Sequence, residues 1–215
     1  MSRLGHPDDL SGEREGERPA HSAFHVRLRR ETAPQHETLE RQLALLDPEL
    51  SLDRYRLVLE SFHGFYAAVE SELPRLAATA PPLGFPLRAR AELLERDLLA
   101  LGLSRSDIAG LPRGADLPRL CRTEHLAGCL YVLEGACLGG QVIAKALRGR
   151  LSLTDDHGLS FFVGDGSRTG ARWRLVLGWL EDLVRRGALA HEIVASARET
   201  FCSLGCWLEM RGASR

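Results

Sequence analysis

Apolar side chains recur along this chain at helical intervals. Near the amino end Thr32, His36, Leu39, Leu43 and Leu46 are spaced i, i+4, i+7, i+11 and i+14, which places them on one face of a helix. Pro34 allows two forms of that helix. Either Thr32 caps it and His36 sits in its opening turns, or a longer helix bends at the proline. In a continuous helix Arg29 shares the His36 face, roughly 10 Å away at about 1.5 Å per residue. Asp47-Pro48 ends the segment, and Ser51 or Asp53 caps the next. From Tyr55 to Leu76 a long amphipathic helix is predicted, with Tyr55, Val58, Leu59, Phe62, Tyr66, Val69 and Leu73 as its buried stripe. After the Ala80-Pro81-Pro82 break, Arg88 to Leu101 reads as a shorter helix. Leu103 to Leu117, rich in Gly and Pro, reads as connector. Leu117 to Leu147, Arg172 to Arg185 and Leu189 to Met210 return to the helical period. No alternating strand of useful length occurs, so the fold class expected is all-α, a single-domain multi-helix bundle spanning 22–215. Residues 1–21 carry almost nothing apolar and read as a disordered tail.

Composition narrows the partners. With 28 Lys plus Arg against 29 Asp plus Glu, the chain lacks the electrostatic footprint of a nucleic-acid or anionic-membrane binder. No apolar run approaches the roughly 20 residues of a membrane span, and the amino end lacks the basic-then-apolar layout of a secretory signal. The 5 cysteines are odd in number and have no CxxC spacing. They read as small core residues in a reducing compartment, which makes a cytoplasmic protein the expectation.

Four stretches carry candidate chemistry. His36 points where the apolar residues point, and Glu40 follows one turn later, near enough to accept a hydrogen bond from one ring nitrogen. A carboxylate so placed fixes the tautomer and leaves the other nitrogen free for a metal; a hydrogen-bonded core histidine is the alternative. Glu60 and His63 form an ExxH spacing, a pattern of di-iron bundles, which normally supply it twice. Leu130 to Ile143 is helical in its aliphatic spacing yet glycine-rich. Each glycine inside a helix costs about 1 kcal/mol relative to alanine. Gly128, Gly135 and Gly139 fall at i, i+7 and i+11, a bare strip that serves either close helix packing or a flat ligand lying on backbone. Arg168, Arg172 and Arg174 cluster near the start of a later helix. At least two of them are expected in solvent, and one is available to a ligand carboxylate.

Together these stretches resemble a known family. LRRETAPQHETLE (Leu28 to Glu40) is similar to the proximal-helix motif of biliverdin-producing heme oxygenases, of the bacterial type often found with bacteriophytochromes. YVLEGACLGGQVI (Tyr131 to Ile143) resembles their distal helix, and YRLVLESFHGFYAAVESEL, GLSFF and IVASARETFCSLGCWLEM resemble further parts. The resemblance covers about Phe24 to Met210. It implies His36 as axial ligand of heme iron, with Glu40 in support. Gly135, Gly139 and Gly140 would be the distal residues that let backbone lie over the heme, with Arg29 and Arg174 at the propionates. It also implies heme as both substrate and cofactor, O2, and an external electron donor, either a ferredoxin or an NADPH-dependent reductase. A biliverdin-accepting bacteriophytochrome is a further implied partner. Two departures stand out. Ala136 follows Gly135 where animal-type enzymes carry an aspartate, which leaves proton delivery without an owner among Tyr131, Glu134 and Gln141. Gly178 stands near where those enzymes carry a propionate arginine. A non-catalytic heme-binding or heme-sensing protein, and a non-heme di-iron oxidase, are the competing functions.

Overall fold

The computed structural model describes residues 23–215; the predicted tail lies outside the described residues. The chain forms α1 (Ala23–Leu43), α2 (Leu52–Ala77), α3 (Arg90–Ala100), α4 (Arg105–Ala109), α5 (Thr123–Leu147), α6 (Ser160–Val163), α7 (Thr169–Arg185) and α8 (Ala190–Met210). A 3-10 turn, Gly166–Arg168, precedes α7. Among the described residues there is no β-strand, only isolated bridges between Arg148 and Gly158. The all-α expectation holds.

Helix α5 is the centre, packed against α8, α6, α7 and α2, while α8 also carries α1 and α2. Gly128 makes the α5–α8 approach possible. A β-carbon there would lie 2.5 Å from the Ala197 nitrogen and 2.6 Å from the Ile193 oxygen. That glycine therefore serves helix packing, and the bare strip read from the sequence divides between two uses. By length and composition α5 could cross a membrane, contrary to the expectation that no apolar run is long enough. Its apolar surface is instead turned into the protein: Leu126, Ala127, Cys129, Leu130, Val132 and Leu133 are all buried.

Helix α2 follows the predicted stripe from Tyr55 to Leu73 and starts at Ser51, whose hydroxyl accepts from the Arg54 N–H at 3.2 Å. Helix α1 runs unbroken through Pro34. Thr32 does not cap it; its hydroxyl donates back to the Leu28 carbonyl at 2.9 Å. A second departure lies in the presumed connector, where Ser104 and Asp107 form a reciprocal capping box and nucleate α4. At the other end of the core, Asp97 of α3 is buried. Its carboxylate accepts the backbone N–H groups of Ser160 and Phe161, each at 2.8 Å, and so fixes the start of α6.

Candidate functional site

On α1 the buried residues are His25, Leu28, Thr32 and Leu43. His36 was expected to point inward with them. It points outward, its side chain 54% exposed, because α8 covers only one flank of the helix and presents Phe201 edge-on at 5.7 Å. Glu40 lies one turn on as expected but does not make the expected hydrogen bond: its Oε2 is 3.6 Å from His36 Nδ1, just beyond direct hydrogen-bond distance. The carboxylate thus sits on the Nδ1 side of a solvent-facing imidazole.

The glycines of α5 separate by environment. Gly139 has no atom within 4 Å of the position a β-carbon would take, and the neighbouring apolar side chains Leu138 and Val142 are exposed. Gly135 meets Trp173 of α7 at 3.4 Å. Gly140 is pressed on α6, 2.7 Å from the Phe162 oxygen, so its missing side chain serves packing rather than a ligand. Exposed apolar side chains around naked backbone are surface that a flat apolar ligand would cover.

None of the candidate proton donors on α5 is free. Glu134, 4% exposed, is gripped by Arg172, whose Nε donates to Oε2 at 3.2 Å and whose terminal nitrogen donates to Oε1 at 2.5 Å. Arg88 stands 3.8 Å off the same carboxylate and pairs with Asp165 on its other side. Gln141 donates to the Val163 carbonyl at 2.5 Å. Burial holds the Tyr131 phenol above its usual range, and Thr32 of α1 beside it partly offsets the effect. Arg172, read from the sequence among three arginines of a basic surface, is therefore an interior residue, while Arg168 and Arg174 remain exposed.

Arg29 is exposed on the outer surface of α1. With His25, Val26, Arg30 and Ala33 it lines a groove of about 280 Å³. No described carboxylate is within ion-pair distance of Arg29 or Arg174, so both guanidinium groups are available to an anion. The Glu60–His63 pattern leads nowhere comparable. Glu60 pairs with Arg56 at 3.6 Å, and among the described residues no three His, Cys, Asp or Glu side chains gather as a metal site. The di-iron reading loses its ligand set.

A family model described as heme oxygenase matches residues 22–210. The chain belongs to the heme oxygenase family. Its curated relatives include the heme oxygenase of Xanthomonas campestris pv. campestris, 31% identical over 159 residues, which are 74% of this chain and 90% of that protein. Solved heme oxygenases share the fold. The NO- and CO-bound enzyme of Neisseria meningitidis superposes with a TM-score of 0.70 at 23% identity, over 88% of this chain and 92% of its own. The heme complex of heme oxygenase-1 from the cyanobacterium Synechocystis gives 0.69 at 21%, over 88% and 92%. As a heme oxygenase family member, the chain presents a fitting donor set: an exposed imidazole backed by a carboxylate, open backbone at Gly139 and two uncommitted arginines.

Sequence patterns alone missed Trp173, Phe201 and His25. His25 is buried on α1, edge-on to Trp173 at 6.1 Å. Each occupies an ordinary apolar-face position within its helix, and only the packing of α1, α5, α7 and α8 brings them beside the site.

Proposed function

We propose that this enzyme of heme degradation opens its substrate at a meso carbon to give biliverdin, carbon monoxide and iron, using O2 and electrons from an external donor. The observation that carries this reading is the exposed His36–Glu40 pair on α1, in a fold whose α5 leaves its backbone open at Gly139. His36 would hold the heme iron through Nε2, with the Glu40 carboxylate standing on the Nδ1 side to favour that orientation of the ring. Gly135 and Gly139 would leave room for heme against the α5 backbone, while Gly140 lets that stretch of α5 pack onto α6. Arg29 and Arg174 receive the propionates as charge-assisted partners. Bound heme supplies the iron at which O2 is activated, and the protein supplies position and shelter. Glu134 and Gln141 are both committed elsewhere, so neither would deliver protons directly. Electrons come from a ferredoxin or an NADPH-dependent reductase in the cytoplasm, and a bacteriophytochrome is the natural acceptor of the product. The segment matched by the family model, 22–210, carries this activity.

One observation favours a second reading, a heme-binding protein without turnover: the described part of α5 offers no free carboxylate beside Ala136. Aerobic reaction of the hemin complex with ascorbate or a ferredoxin system separates the two. Conversion of the Soret band to biliverdin absorption is expected. A persistent Soret band would leave only binding. His36→Ala is expected to abolish turnover, and unchanged biliverdin formation in that variant would remove the ligand role.

A further inference from the structure

We propose that Trp173, held in place by the Glu134–Arg172 ion pair, decides how heme is seated against α5 and so which meso edge is opened; this rests on the heme-cleaving function proposed above. Two consecutive residues of α7 meet two consecutive residues of α5. Arg172 grips Glu134 in the interior, and Trp173 lies over Gly135, with ring atoms 3.4 and 3.6 Å from where a β-carbon would stand. The inner contact is rigid. Its guanidinium is stacked over the Phe85 ring at 4.6 Å, and Arg88 closes the carboxylate from the other side. A two-pronged arginine–carboxylate contact fixes angle as well as distance, so it sets the height of the indole above the α5 backbone.

The indole then spans the site. It leans on Tyr131 of α5 at 5.5 Å with a 45° tilt and reaches His25 of α1 at 6.1 Å. One turn further along α5, Gly139 faces open space. The bare strip therefore has a wall at one glycine and none at the next. A porphyrin is nearly fourfold symmetric around its iron, so the protein must break that symmetry to choose an edge. Arg29 and Arg174 are exposed, and exposed ion pairs discriminate weakly. A bulky aromatic plane held at fixed height excludes the wrong rotation by contact, and offset or edge-on ring contacts add a preference for the right one.

The test compares wild type with Trp173→Ala, Trp173→Phe and Arg172→Lys as ferric hemin complexes. Heme-methyl proton resonances report seating without turnover, and chromatography of the biliverdin isomers reports it after turnover. Trp173→Ala is expected to give a second set of methyl resonances and a fall of about tenfold in the ratio of major to minor isomer. Trp173→Phe is expected to keep most of the preference, and Arg172→Lys to move both readouts the same way as alanine but less. An unchanged methyl pattern and isomer ratio in Trp173→Ala overturns the proposal alone. A wild-type protein that binds no hemin or yields no biliverdin overturns the proposed function as well.

Discussion

Two glycines of one helix, Gly128 and Gly139, should respond to alanine in opposite directions. In a helix interior alanine is better than glycine by roughly 1 kcal/mol. At Gly139 nothing lies within 4 Å of the new methyl group, so the ligand-free protein should gain close to that full amount. At Gly128 the methyl group would stand 2.5 Å from the Ala197 nitrogen and 2.6 Å from both the Ile193 oxygen and the Ser196 β-carbon. Two of those three atoms are backbone, so α5 and α8 must separate. Overpacking of this kind costs about 1–3 kcal/mol, and the propensity gain offsets only part of it. For a chain of this size each kcal/mol moves the melting temperature by roughly 2–4 °C. Thermal unfolding of the two ligand-free variants should therefore bracket wild type, Gly139→Ala above and Gly128→Ala below. Hemin titration adds the second axis. Gly139→Ala should bind hemin roughly tenfold more weakly or worse, because its methyl group enters the ligand's space. A Gly139→Ala protein that is less stable than wild type, or that binds hemin equally well, would refute the division of the strip into packing and ligand-serving glycines.

Removing the Asp97 carboxylate strands the buried N–H groups of Ser160 and Phe161, so Asp97→Ala should cost roughly 2–4 kcal/mol in urea unfolding. Asp97→Asn, which keeps one acceptor, should lose less; equal losses would show that the amide contacts are not what matters. Acid should also weaken the fold through His63. Burial, aided by the Arg113 charge, holds its imidazole below the ordinary value of 6.5. The unfolded chain then binds the extra proton first as pH falls through about 6.5, so stability drops below that point and is flat above it. His63→Gln should flatten the slope of unfolding free energy between neutral and mildly acidic pH. The same slope in both proteins would sink this assignment.

The long helices, their order and the two chemistry-bearing stretches were legible in the sequence, while the short α4 and α6 were not. An amphipathic helix writes its buried face at a period near 3.6 residues only over several turns, and a histidine followed one turn later by a carboxylate needs no tertiary partner to be noticed. The stripe of α2 from Tyr55 to Leu73 and the His36–Glu40 spacing are local facts of this kind. Tertiary structure decided what lies across from each residue. Periodicity put His36 on an apolar face; the placement of α8 left it in solvent. Gly128 and Gly139 share a face of α5, yet Ile193, Ser196 and Ala197 cover the first and nothing covers the second. The sequence put at least two of Arg168, Arg172 and Arg174 in solvent without saying which; α5 decided it by supplying Glu134 to Arg172, 38 positions away in sequence. Such pairings depend on how helices cross, which is set by side-chain packing summed over the whole bundle and leaves no mark at either position alone.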